Sequence, residues 1–173
     1  MKIKTRQISL SDIELIRYWR NKKFVREQML TQNLISSVNQ KKWFNSLDST
    51  INHIFIYSLN NIDIGCVVCK ITDLEKKVFD IGVYCGNSEY FGHPINFLSM
   101  IFIHDFAFNV LTLETSVTTI KTNNKSSFNI NKKLGYNYHK NYNKDFDYYI
   151  LKKSEYIENK QKLIGLINKL DNE

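Results

Sequence analysis

The sequence predicts an α+β fold: a central, mixed, mostly antiparallel twisted sheet of about seven strands flanked by helices, with an extra C-terminal helix. Three observations predict it. The first half carries short β-type runs separated by turn signals. The apolar period then changes to a helical one after Pro94, and strand, helix and hairpin patterns follow in that order. The 173 residues, 43% apolar and 24% charged, suffice for one full-sized core, and no repeat or Pro-rich linker divides them. The expected organisation is one domain over residues 1–153 and an amphipathic helix over 154–173, packed on that domain or on a partner.

Ile3–Ile8 alternates as a first strand. Ser11-Asp12-Ile13-Glu14 has the Ser-x-x-Glu form of a capping box, and Ile13, Ile16 and Trp19 follow at helical spacing. A second helix is expected over Asn39–Leu47, with Trp43, Phe44 and Leu47 on one face; core packing is the simplest role for Trp19, Trp43 and Phe44. His53–Leu59, Ile62–Ile71 and Val78–Cys85 form a strand meander, turning first at Asn60-Asn61. Pro94–Phe108 is too long for a strand and reads as the central helix. Thr115–Ile120 is rich in β-branched residues and reads as a strand. Ser126–Leu134 is a helix stopped by Gly135. Tyr136–His139 and Phe146–Leu151 are the last strands, joined by an Asn141–Lys144 turn. Ser154–Leu170 is the final helix, with Ile157, Leu163, Ile164, Ile167 and Leu170 as candidate buried positions.

The net charge of +7 and pI near 9.2 favour anionic partners. The densest basic cluster is Arg17, Arg20, Lys22, Lys23 and Arg26. Between Tyr136 and Tyr149, aromatics interleave with Lys140 and Lys144, but no nucleic-acid motif accompanies them, and solvated edge strands are the expected reading. Cys66 and Cys69 have metal-motif spacing, yet residues three apart on a strand face opposite ways and no second ligand pair exists; Cys66, Cys69 and Cys85 are expected as buried reduced thiols, without metal. No apolar run reaches membrane-span length, and the polar start lacks a secretory signal, so a cytoplasmic location is expected.

The stretch from Gly92 to Tyr136 carries the most chemistry. Gly92-His93-Pro94 precedes the central helix, whose unpaired N–H groups and positive dipole end suit a phosphate. Ala107-Phe108 ends that helix, and Asn124-Lys125-Ser126-Ser127 leads to Lys133-Leu134-Gly135-Tyr136. This order resembles the cofactor core of the GNAT (Gcn5-related) N-acetyltransferases, in the branch of the RimJ/RimL enzymes. The resemblance implies the GNAT fold and acetyl-CoA as co-substrate, with cofactor contacts at Val83, Tyr84, Gly92, His93, Asn124 and Ser127. Helix capping is the alternative role for Asn124 and Ser127. The chain departs from the family at three points. Pro94 has no N–H to give a phosphate, and Glu89 stands where a basic or amide residue is usual. Asn131 replaces the tyrosine that commonly protonates the leaving thiolate, which leaves the general acid unassigned.

Acetyl transfer needs a free amine, stabilisation of the developing oxyanion and protonation of the thiolate. By the same resemblance, Asp80 on Val78–Tyr84 takes the position of the carboxylate that deprotonates the amine. The alternative is a strand-end carboxylate bonded to Lys76 or Lys77. Arg17-Tyr18-Trp19-Arg20-Asn21, Met29, Ile35-Ser36, Trp43-Phe44 and Lys144–Tyr149 are similar to segments of the amino-sugar N-acetyltransferases of pseudaminic acid synthesis. That similarity implies an acceptor pocket lined by Arg20, Met29, Gln40 and Tyr84, with Arg20 binding a nucleotide diphosphate. The expected function is acetylation of a UDP- or dTDP-linked amino sugar for surface glycan synthesis. The alternatives are a RimJ/RimL-like acetyltransferase of protein N-termini and an inactive GNAT-fold binding module. A homodimer is among the expected partners, a nucleic acid is not.

Overall fold

The computed structural model describes residues 2–170, with side chains as far as position 165. Seven strands form one mixed sheet in the order β1-β2-β3-β4-β5-β7-β6: β1 (Lys4–Gln7), β2 (Asn52–Leu59), β3 (Ile62–Asp73), β4 (Val78–Cys85), β5 (Thr115–Lys121), β6 (Asn137–Asn143) and β7 (Phe146–Lys152). The helices are α1 (Ile13–Asn21), α2 (Lys23–Arg26), α3 (Ser37–Asn45), α4 (Ile95–Asp105), α5 (Lys125–Leu134) and α6 (Lys153–Leu170). None of them is long and apolar enough to cross a membrane. The chain divides into two compact units: Lys2–Lys70 with Gly82–Met100, and Ile71–Ile81 with the chain from Ile101 onward.

In the first unit, β1 pairs antiparallel with β2 (Lys4↔Ser58) and β2 with β3 (Asn52↔Lys70). Both faces of β2 and β3 are covered, and they supply the core residues Ile54, Ile56, Tyr57, Ile64, Cys66 and Val67. Helix α1 buries Ile13, Ile16 and Trp19, the face its sequence period implies. Two glycines are needed for close approach. A Cβ on Gly86 would collide with the Trp19 indole, and one on Gly65 with Tyr84 O and the Tyr57 ring. The end of α1 is tied to the segment that precedes α3 by Asn21, whose amide donates to Ile35 O and accepts from Ile35 N–H, each at 2.8 Å.

In the second unit, β4 runs parallel to β5 (Val78↔Thr115), β5 antiparallel to β7, and β7 antiparallel to β6. Its core is aromatic and contains a buried polar group of three: Tyr136 Oη bonds His104 Nε2 at 2.9 Å and also Ser116 Oγ. The His104 ring stacks on Tyr156, with centroids 5.2 Å apart, and Tyr156 Oη donates to Asp105 Oδ1 at 2.9 Å. Asp105 also pairs with Lys160 at 2.6 Å, so the start of α6 is fixed to the end of α4 by packing and charge together.

Several sequence expectations change in detail. The N-terminal cap lies at Ser9, not Ser11: the Asp12 carboxylate accepts from the Ser9 N–H at 2.9 Å, and a 3-10 turn (Leu10–Asp12) precedes α1. Buried Asp12 is held below the usual carboxylate range; burial opposes this, but the bonds from Ser9 and the Arg6 guanidinium, at 2.8 Å, overcome it. Helix α3 begins earlier than expected because Ser36 Oγ accepts from Asn39 N–H, and its buried residue is Gln40. Trp43 is 36% exposed and does not join the core. The central helix relaxes after Asp105 into a π turn over Phe106–Val110, which contains Ala107-Phe108. Strand β6 extends to Asn143, whose side chain closes the turn by accepting from Asp145 and Phe146 N–H groups. On α6, Tyr156 and Leu163 are buried, whereas Ile157 is exposed. Ile167 and Leu170 lie outside the described side chains. The three cysteines are free; Cys66 and Cys69 are buried, but Cys85 is only half-buried.

Candidate cofactor and acceptor site

The phosphate-loop candidates lie in the first unit, after β4. Asn87 Oδ1 accepts from Glu89 N–H and starts a 3-10 turn over Ser88–Tyr90; Glu89 itself is exposed. Gly92 takes φ +74°, which favours glycine, and open space surrounds the position of a Cβ. Pro94 fixes the chain entering α4. Most of the remaining N–H groups are used internally. His93 N–H donates to Tyr90 O, Ile95 N–H to His93 Nδ1 at 3.2 Å, Asn96 N–H to His93 O, and Phe97 and Leu98 N–H to Pro94 O. Gly92 N–H alone among the described residues 90–98 that carry an N–H is left open to a ligand. Asn96 supports the loop from behind: its Nδ2 donates to Tyr90 O at 2.7 Å and its Oδ1 accepts from Tyr57 Oη at 2.8 Å. Phe91 is held edge-on to Phe24 of α2, with centroids 4.8 Å apart.

The acceptor candidates Arg20, Met29, Gln40 and Tyr84 also belong to this unit. Half-buried Arg20 lies 5.9 Å from the Tyr84 ring centroid, and its Nη1 is buried without a hydrogen-bond partner. Burial lowers its pKa; Tyr84 and Cys66 are its electrostatic neighbours, and no carboxylate is among them. Burial pushes the Cys66 thiol up to about 12 and the Tyr84 phenol well above its ordinary value, so both are neutral donors near neutral pH. Gln40 is 3% exposed, and its Nε2 also lacks a partner. Met29 and Val83 are half-buried. Lys22, from the basic cluster, is tied to Gly86 O at 2.9 Å.

Asp80, Asn124 and Ser127 lie in the second unit. Asp80 pairs with Val117 at the last rung of the β4–β5 parallel ladder. At the next position a side chain replaces the main chain, with Thr118 Oγ1 donating to Ile81 O at 3.1 Å. Phe79 and Ile81 are buried on one face of β4, and Asp80 emerges on the other. Tyr148, which the sequence reading did not single out, occupies that same sheet face through the pairs Asp80↔Val117, Val117↔Ile150 and Thr119↔Tyr148. Burial, and then the charge of Asp80, raise the Tyr148 phenol. The only sequence signal for it was its place in the late aromatic strand. Lys76, a proposed partner for Asp80, is paired with Asp73 at 3.3 Å. Asn124 caps α5 by accepting from Ser127 N–H at 3.0 Å. Buried Asn131 donates to Ser127 O at 2.8 Å and to Ser127 Oγ at 3.3 Å. The capping alternative is thus realised by the Asn124 side chain; Ser127 enters it only through its N–H, and its hydroxyl, which accepts from Asn131, keeps its own proton to donate.

No family model and no curated protein matches the sequence. Solved structures do match in fold. A domain from Methanocaldococcus jannaschii superposes with a TM-score of 0.78 at 21% identity, over 87% of this chain and 98% of that one. The spermidine N-acetyltransferase of Vibrio cholerae, in complex with CoA and spermine, gives 0.82 at 13% identity over 90% and 98%. The aminoglycoside acetyltransferase AAC(6')-Ib, in complex with coenzyme A, gives 0.79 at 13% identity over 91% and 98%. The chain has the GNAT fold of these N-acetyltransferases.

Proposed function

We propose that the protein is an acetyl-CoA-dependent N-acetyltransferase of the cytoplasm, close to the RimJ/RimL branch, whose acceptor is the amine of a nucleotide-activated amino sugar. The observation that carries the transferase reading is the placement of Asp80. It is a carboxylate at the last rung of the parallel ladder, on the sheet face opposite the buried Phe79 and Ile81. The fold shared with CoA-bound acetyltransferases supports the cofactor, and the Trp19-Arg20-Asn21 and Lys144–Tyr149 resemblances support the acceptor. The loop residues fit a pyrophosphate: Gly92 N–H is unpartnered and the space over Gly92 is open. Asn124 and Ser127 at the start of α5 would hold a further part of the cofactor.

Acetyl-CoA supplies the activated acyl group as a thioester. The protein's part is to bind, orient and move protons. Asp80 accepts a proton from the acceptor ammonium, directly or through water, so that the neutral amine is the nucleophile. Asn131 cannot protonate the leaving thiolate; Tyr148, a neutral phenol beside the Asp80 charge, is the hydroxyl on that face able to do so.

The test is calorimetric titration with acetyl-CoA, followed by thiol release against UDP- and dTDP-linked amino sugars, polyamines and peptides. Binding and turnover with a nucleotide amino sugar are expected. Asp80→Asn should cut turnover by about a hundredfold near neutral pH and leave acetyl-CoA affinity unchanged. Unchanged turnover would remove Asp80 from the mechanism. A second reading, a binding module without activity, draws support from the internally used Ile95 N–H, from Pro94 and from the bonded Asn131. Absence of binding at millimolar acetyl-CoA would refute the transferase reading.

A further inference from the structure

Helices α1 and α2 are separated by a single residue, Lys22, whose main chain closes the corner between them. Its N–H donates to Trp19 O at 3.1 Å, and its carbonyl accepts from Val25 and Arg26 N–H at 3.0 and 2.9 Å. The side chain leaves this corner toward the strand end that opens the phosphate loop. Its Nζ donates to Gly86 O at 2.9 Å and lies 4.6 and 5.7 Å from the Tyr18 and Phe24 ring centroids. The neighbouring cations are engaged otherwise. Lys23 pairs with Glu27 at 3.8 Å; Arg26 donates through Nη1 to Gln32 O at 3.2 Å, and its Nε is buried without a partner.

Gly86 is buried and held from three directions. Its N–H donates to Ile64 O at 2.8 Å, the Trp19 indole occupies the place of a Cβ, and Lys22 takes the carbonyl. A buried carbonyl needs a donor, and an ammonium steadied by aromatic rings gives a charge-assisted one. The far end of the loop meets the same corner. Phe24 stands edge-on to Phe91, with centroids 4.8 Å apart, and Phe91 precedes Gly92 with its open N–H. Phe91 is 53% exposed, so this contact is not core packing. Between the two holds the loop bonds to itself, Tyr90 N–H to Asn87 O and Phe91 N–H to Ser88 O. Helix α2 itself is four residues long, with Val25 as its buried side chain.

We infer that the α1–α2 corner is the brace of the phosphate loop, with Lys22 and Phe24 as positioning residues that fix its two ends and so aim the Gly92 N–H. This rests on the acetyl-CoA reading and adds to it the residues that shape the loop. Gly92 has the one open N–H among residues 90–98, so the affinity of the loop depends on how firmly that donor is held. Ordering the loop in advance spares the ligand that cost.

The experiment combines hydrogen exchange on the ligand-free protein with calorimetric titration of CoA, for the unmodified protein, Lys22→Met, Lys22→Arg and Phe24→Leu. In Lys22→Met, exchange at the amides of residues 86–92 should quicken by about tenfold and CoA should bind about tenfold more weakly, the scale of one charge-assisted hydrogen bond. Exchange in β1 and β2 should not change. Lys22→Arg keeps a cationic donor and should restore loop protection and CoA affinity together. Phe24→Leu should weaken CoA less, and quicken exchange at the Phe91 end alone. Loop exchange unchanged in Lys22→Met overturns the inference, and so does a loosened loop with unchanged CoA affinity. Faster exchange throughout the first unit, without rescue by Lys22→Arg, marks a general structural role and overturns it too. If CoA fails to bind the unmodified protein, the acetyl-CoA reading falls on its own. The brace is then decided by exchange: a loss confined to the loop in Lys22→Met and rescued in Lys22→Arg supports it, and any other pattern overturns it.

Discussion

Replacing His93 with alanine tests how the phosphate loop holds its donors. In the ligand-free protein, Ile95 N–H donates to His93 Nδ1 at 3.2 Å, so this donor is unavailable to a pyrophosphate until that bond opens. A neutral hydrogen bond of this kind contributes about 0.5–1.5 kcal/mol net. The same bond enters two measurements with opposite sign. Its loss removes a helix cap, so stability should fall by about 1 kcal/mol, or about 2–4 °C in Tm for a chain of this size. Its loss also spares the cofactor the work of opening the loop, so CoA affinity should rise by about fivefold, the equivalent of that 1 kcal/mol. Calorimetry with CoA and a thermal melt on the same preparation read both. A melt lowered as expected, with CoA affinity unchanged or reduced, would refute the reasoning: Ile95 N–H would then not be a phosphate donor, or the imidazole itself would touch the cofactor.

Tyr136→Phe leaves His104 Nε2 and Ser116 Oγ buried without their shared partner and should cost about 2–3 kcal/mol, read by urea unfolding. A loss under 0.5 kcal/mol would show that the two remaining groups bond each other or water. Gly86→Ala drives a methyl into the Trp19 indole and should cost about 1–3 kcal/mol, with CoA binding weakened because Gly86 opens the loop; an unchanged melt would contradict the packing. Asp12 has its folded pKa below the ordinary 3.8, so its stabilisation is complete above that value and is lost as pH falls through the folded pKa. Asp12→Asn should therefore melt lower than the unmodified protein at pH 7, and the gap should close as the pH falls below the ordinary 3.8 and through the lower folded pKa. A gap constant with pH would refute the assignment.

The order of elements was readable because it depends on period and punctuation. The β-type runs and turn signals of β2–β4, the helical spacing of Ile13, Ile16 and Trp19, and Gly135 at φ +103° each follow from a local rule. The misplaced cap had a local rival: both Ser9-x-x-Asp12 and Ser11-x-x-Glu14 fit a capping box, and the choice was made by Arg6 of β1, a partner remote from the helix pattern. Trp43 fails for a related reason. Helix α3 turns its buried side to Gln40, and composition cannot show that a polar residue outcompetes an indole for that side. Of the candidate site residues, Asp80, Gly92, Asn124 and Ser127 can be named from residue type and order alone. Tyr148 cannot, since its relation to Asp80 runs through the register of β5 and β7.

The loop and the helices of the first unit stand in opposite states before any ligand arrives. Among the N–H groups of residues 90–98, the loop keeps all but that of Gly92 bonded within itself, and Pro94 contributes none. The helices α1–α3 keep three donors buried and unmet. A ligand at the loop would exchange existing bonds for new ones, whereas a group that reached the helix donors would displace no hydrogen bond of theirs. On the transferase reading, the departures at Glu89 and Pro94 bear on the phosphate loop and leave Arg20 and Gln40 untouched. Substitutions at His93 should therefore move KM for acetyl-CoA alone, and substitutions at Arg20 should move KM for the acceptor alone. A substitution at either position that moved both constants together would show that the two donor sets are not independent.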